Sequence, residues 1–165
     1  MRFSKRRNKI SMRLYKKILL ALPGVFIVIQ FIQPAHNKSE KMLETDITKT
    51  INVPDKVLDV FKNSCYDCHS NNTRYPWYVN IQPMGWIMAN HIKEGKENFN
   101  FSEFGTYSKR KQANKLRAIA ETIKDGSMPI SSYTIMHTDA KLSTENKKVI
   151  TEWVLKTKDS MEIKN

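Results

Sequence analysis

At 165 residues the chain has room for one modest domain and an appendage, and an apolar fraction of 40% limits the core it can build. Two cysteines three positions apart exclude a disulfide framework. The formal charge of +12 suggests nucleic acid, but eight of the 28 basic residues precede Ile18 with no acidic residue among them, leaving 20 against 16 acidic residues over the rest of the chain; a nucleic-acid surface carries its basic stripe on the folded domain, so that partner is set aside.

Residues 1–17 read as a basic cytoplasmic tail. Residues 18–33 follow, apolar from Ile18 to Ile32 except for Gln30, in the pattern of a membrane anchor or an export signal. The charge bias directs everything after Gln33 out of the cytoplasm. No small-x-small cleavage site follows clearly, which favours an uncleaved anchor over a cleaved signal. Residues 34–52 are polar and of mixed charge, and are expected to form a tether. Residues 53–158 form the domain, and 159–165 a short tail.

Within the domain, Pro54 suits the first turn of a helix whose Val57, Val60 and Phe61 share one face. A second helix opens near Pro83, runs through Trp86, Ile87 and His91, and is expected to stop at Gly95. A third covers about Ser108 to Asp125, with Leu116, Ile119, Ala120 and Ile123 on its apolar face and Gly126 as its stop. Ser127 to Leu142 reads as irregular. Ser143 is the expected N-cap of a last helix striped by Val149, Ile150, Trp153 and Val154, with Trp153 near Phe61. No segment alternates with period two, so the domain is expected to be all-α.

Cys65-Tyr66-Asp67-Cys68-His69 carries the chemistry. Cys-x-x-Cys-His is the attachment pattern of c-type haem. Two thiols three residues apart reach both vinyl groups of one porphyrin, and the adjacent imidazole becomes the proximal iron ligand. Attachment requires an oxidising compartment, in agreement with the export reading. Two other readings compete. A thioredoxin-like dithiol needs a βαβ context that the helical flanks do not offer, and a zinc site of Cys65, Cys68, His69 and one further histidine is chemically admissible.

The sixth iron ligand is expected to be Met128, which follows a helix stop and precedes Pro129, with His91 as the alternative and His137 a weaker one. Core packing is the ordinary role of a methionine, and eight are present. Tyr75, Trp77, Tyr78, Trp86 and Phe101 are candidates to line the haem pocket, and Arg74 to meet a propionate.

The segments CYDCHSNNTRYPWYVNIQPMGWIMANHIKEG, NFNFSEF and GSMPISSYTIMHTDAKLS, followed by the helix containing Trp153, resemble the bacterial haem-binding domain family over about Val53 to Lys156. The resemblance implies a cytochrome-c-like domain of about four helices around one covalent haem c, bonded at Cys65 and Cys68 with His69 proximal, preceded by an N-terminal membrane helix. It leaves Met128, His91 and His137 all within the family's pattern. Phe104 stands where many relatives are expected to carry tryptophan, a conservative difference.

The function expected from these features is single-electron transfer between membrane-associated and periplasmic partners, from a single-pass location in the bacterial inner membrane or, after cleavage, from the periplasm. No residue is then required as acid, base or nucleophile. A haem peroxidase or gas sensor with an open distal site is the alternative, and a zinc-stabilised interaction module the second.

Overall fold

The computed structural model of the chain describes residues 3–39 and 41–162. All regular elements among them are helical, apart from one isolated bridge between Lys38 and Asn72. The chain divides into two compact units, one holding the residues through Ala35 together with Tyr75–Asn90, the other holding His36–Arg74 and the residues from His91 onward.

The first unit is built on α1 (Phe3–Ile29). The side chains of residues 1–11 and 13, most of the expected basic tail, lie outside the described ones. Beyond them, Leu19, Leu20, Leu22, Phe26 and Val28 are all exposed. The helix closes with tightened i to i−3 bonds, from the amides of Gln30, Phe31 and Ile32 to the carbonyls of Ile27, Val28 and Ile29.

The expectation of a membrane helix over 18–33 is corrected here. Among the described residues no helix is long and apolar enough to cross a membrane. Because α1 ends at Ile29, its uncharged part from Ile18 extends only about 18 Å at about 1.5 Å per residue, against a hydrocarbon core of about 30 Å. The rest of the unit is a 3₁₀ turn at Trp77–Asn80 and the first half of a long helix that begins at Met84.

The second unit contains α2 (Ile47–Thr50), α3 (Asp55–Ser64), α4 (Tyr66–His69) and the second half of α5 (Met84–Asn98). It continues through α6 (Lys109–Asp125), α7 (Ser131–Met136) and α8 (Thr144–Glu162). The three expected long elements of this unit form where capping and periodicity place them. Pro54 precedes α3; Ser108 Oγ accepts from the Lys111 amide at the start of α6, and Gly126 ends it at φ 78°. Ser143 Oγ accepts from the Asn146 amide at the start of α8, which runs on through 159–162, so the expected tail there is helical.

Leu116, Ala120 and Ile123 of α6 join Ile150, Trp153 and Val154 of α8 in one core with Val57, Val60 and Phe61 of α3. Trp153 meets Phe61 edge-on at 5.7 Å, as expected, and its indole N–H donates to the Asn52 carbonyl. Phe101 extends this core, stacking near Phe61, Tyr66 and Phe99 at centroid distances of 4.9, 4.7 and 4.6 Å.

Three expectations change. Within the expected tether of 34–52, residues 37–39 and 41–50 are folded rather than free. Ile47 is fully buried, the Ser39 amide donates to the Asn71 carbonyl, and the Gly105 amide donates to the Thr45 carbonyl at 2.7 Å. Polar composition hid this because the stretch is held by backbone and polar side-chain bonds to distant segments, such as Asn37 Nδ2 to the Ser70 carbonyl. Gly95 does not stop α5, which continues to Asn98. The irregular stretch after Gly126 contains α7 and a 3₁₀ turn at Thr138–Ala140, so short helices supplement the four long ones anticipated.

Candidate functional site

The motif sits where α3 gives way to α4. Cys65 ends the first helix and starts the second, with φ −129° and ψ −39°. The carbonyl of Cys65 accepts from the amides of Cys68 and His69 at 3.2 and 3.0 Å. One helical turn therefore brings the side chains of Cys65 and Cys68 to the same side of the backbone.

A cleft of about 430 Å³ opens beside this turn. Cys65, Cys68 and His69 line it together with Phe99, Phe101 and Ile119, and so do both candidates for the sixth ligand, Met128 and His91. Lys115 and Glu94 contribute its charged groups. Such a volume, mostly apolar with a few polar groups, suits a small-molecule or cofactor site.

His69 is oriented from behind. Nδ1 of His69 lies 3.0 Å from the Phe99 carbonyl oxygen. Only the imidazole has a proton for that bond, so Nδ1 donates and Nε2 is left with its lone pair. Burial, aided by the charge of Lys115, lowers the His69 pKa from its ordinary value against the opposing hydrogen bonds. The ring is thereby held neutral, the state in which imidazole binds a metal.

Both cysteines are free thiols. Burial, reinforced by Cys68, pushes Cys65 up to about 12; burial, reinforced by Asp67, pushes Cys68 up to about 11. Neutral, half-buried thiols of this kind are poor reactive thiolates. Among the described residues no group of three or more histidine, cysteine or acidic side chains converges to hold a metal ion. The zinc expectation therefore loses its geometry. The donor set fits haem, which needs one neutral imidazole and two thiols on a single apolar cleft.

Two features set the shape of the cleft. Gly95 stands against Cys68: a Cβ there would meet the Cys68 carbonyl oxygen at 2.5 Å and the Cys68 Cβ at 3.2 Å. The residue expected to end α5 instead lets α5 close on the motif. The second feature is Asp67, a carboxylate buried inside the motif. It accepts from the Tyr133 hydroxyl at 2.6 Å and from the Arg74 amide at 2.9 Å, and its backbone carbonyl accepts from Thr73 Oγ1 at 2.6 Å. Tyr133 also lines the cleft and belongs to α7, which begins shortly after Met128.

Several expected residues fall elsewhere. Of the five aromatic candidates only Phe101 lines the cleft. Arg74 pairs with Asp67, so the cationic side chain available at the cleft is Lys115. His137 stacks on Tyr133 at 4.1 Å and does not reach the lining. Sequence reasoning passed over Asp67, Tyr133, Lys115 and Phe99. An acidic residue between two haem-type cysteines was the signal for the first of these; Lys115 lies one turn before Ile119 on the apolar face of α6.

No curated protein and no solved structure matches the chain significantly. A family model described as a haem-binding domain matches residues 24–156, and the chain belongs to that family.

Proposed function

We propose that this haem-binding domain carries one covalent haem c and passes single electrons. In this reading Cys65 and Cys68 form the two thioether bonds, each thiol adding across a vinyl group. Nε2 of His69 and the thioether of Met128 would hold the iron, with His91 as the alternative to Met128 on the same cleft. The observation that carries the reading is the bond from His69 Nδ1 to the Phe99 carbonyl, which presents a neutral imidazole beside both thiols.

Bound there, haem c would supply a one-electron couple at its iron. The chain's own residues bind, orient and tune. Phe99, Phe101 and Ile119 exclude water from one side of the cleft. Lys115 offers a positive charge to a propionate, the role expected of Arg74. No side chain in the cleft is asked to act as acid, base or nucleophile.

Location belongs to the same proposal. Haem c attachment needs an oxidising compartment, and a basic tail followed by an apolar run is an export element. We place the domain on the outer side of the bacterial inner membrane, attached through its N-terminal segment and serving redox protein partners. Outside the tail the chain is only mildly basic, so electrostatic steering toward an acidic partner is modest.

An equilibrium redox titration of the purified holoprotein, followed through its haem absorbance, tests the electron-carrier role. A reversible wave with one-electron slope is expected, together with slow or absent carbon monoxide binding in the ferrous state. Fast carbon monoxide binding by the wild type marks an open sixth position and supports the peroxidase or sensor alternative.

A further inference from the structure

The first unit differs in kind from the rest of the chain. Charged residues make up 27% of the protein, yet none occurs between Ile18 and Ala35 or between Tyr75 and Asn90. These stretches are the whole of that unit beyond the basic tail. Much of their apolar side-chain surface is left outside any core: Leu20, Phe31, Trp77 and Ile87 are 77%, 85%, 75% and 46% exposed, and Ile81, Met84 and Trp86 are exposed as well. Exposed apolar surface of this extent without charges marks a site of contact with lipid or protein.

The three glutamine side chains of the unit are bonded within it. The Gln82 amide donates to Gln30 Oε1 at 2.9 Å, and Gln82 Nε2 donates to Gln33 Oε1 at 2.8 Å. Gln33 Nε2 donates to the Asn80 carbonyl at 3.1 Å, and Trp86 Nε1 to the Ile32 carbonyl at 2.9 Å. Gln82 is fully buried by this arrangement. These bonds fasten the end of the apolar run to residues 80–86 and turn apolar side chains outward. A surface that meets lipid needs such internal pairing, because lipid offers no partners. Trp86, with its N–H bonded and its ring partly exposed, has the character of residues at the membrane–water boundary.

We propose that Trp77–Ile87 is a membrane-docking segment, resting with residues 18–33 against an anionic phospholipid bilayer. A bilayer is favoured over a protein partner because the surface is uncharged throughout and offers no charge pattern to select and orient a partner. The eight basic residues before Ile18 match anionic headgroups. This rests on the membrane attachment proposed above and extends it to a segment that follows the Cys65–His69 motif in the chain. It also requires the N-terminal segment to be retained, since cleavage after Gln33 removes both side-chain partners of the buried Gln82.

The test uses the full-length holoprotein, whose two native cysteines are occupied by thioether bonds. Single-cysteine variants Trp77→Cys, Ile87→Cys and, as an exposed control in the other unit, Lys124→Cys are nitroxide-labelled and bound to phosphatidylethanolamine–phosphatidylglycerol vesicles. Collision rates with oxygen, which enters lipid, and with a water-soluble nickel chelate are measured by electron paramagnetic resonance. The oxygen-to-chelate ratio is expected to be several-fold higher at positions 77 and 87 than at 124. If the protein binds vesicles but all three positions are equally open to the chelate, the docking segment is overturned and attachment through α1 stands. If the protein does not bind vesicles, both are overturned.

Discussion

Nδ1 of His69 lies 3.0 Å from the carbonyl oxygen of Phe99. The Phe99 amide in turn donates to the Gly95 carbonyl at 2.9 Å, so the residue that orients the imidazole continues the last turn of α5. The same helix lies against the motif at Gly95, where a Cβ would meet the Cys68 carbonyl. A single element therefore sets both the distance to Cys68 and the direction of His69.

Gly95→Ala tests that coupling. The added methyl meets the Cys68 carbonyl, and α5 must retreat with Phe99. A loss of about 1–3 kcal/mol is expected, as for overpacking elsewhere. It should appear as a lower denaturation midpoint together with a changed ferric haem spectrum. Unchanged stability and spectrum would show that α5 does not constrain the motif.

Met128→Ala should abolish a methionine–iron charge-transfer band in the ferric spectrum and speed carbon monoxide binding to the ferrous protein. His91→Ala should leave both signals as they are. A wild type without that band, and carbon monoxide binding that speeds only in His91→Ala, reassigns the distal position to His91.

Tyr133→Phe removes a hydrogen bond to a buried carboxylate, at a cost of about 2 kcal/mol. The same bond carries a pH signature. Burial, and then the Asp67 hydrogen bond, raise the Tyr133 pKa above its ordinary value, and burial raises that of Tyr66 too. Their protonated forms are favoured in the folded state, so this contribution is complete below about pH 10 and is lost as pH rises beyond it. Denaturant midpoints measured between pH 8 and 11 should fall at the alkaline end, and less steeply in Tyr133→Phe than in the wild type.

Lys115→Gln withdraws a positive charge from the cleft. Positive charge disfavours the oxidised iron, so the reduction potential should drop, by an amount on the order of 1 kcal/mol or less for a partly exposed charge. A potentiometric titration reads the change. No shift, or a rise, removes Lys115 from the haem environment.

Membership of a haem-binding family was legible from Cys65–His69 and the segments around it, and the long helices of the second unit from their caps and apolar stripes. Ser108, Gly126 and Ser143 act locally, so their meaning survives without tertiary context. Gly95 was misread because a glycine that ends a helix and one that admits a neighbouring backbone look alike in sequence. Residues 34–52 read as a tether because the order found there comes from hydrogen bonds to distant segments, such as the Gly105 amide to the Thr45 carbonyl and Thr45 Oγ1 to the Ser102 carbonyl. Arg74 was assigned by charge type, whereas its actual partner, Asp67, is brought to it by the turn after α4.

Retention of haem through denaturation tests the central claim most directly. Wild-type protein, expressed with haem c attachment machinery and extracted with acid acetone, should keep its haem on the polypeptide and give the pyridine haemochrome of a doubly thioether-bonded haem c, while Cys65→Ala with Cys68→Ala should release it. Haem that extracts freely from the wild type, or a wild-type chain that carries none, would contradict the account.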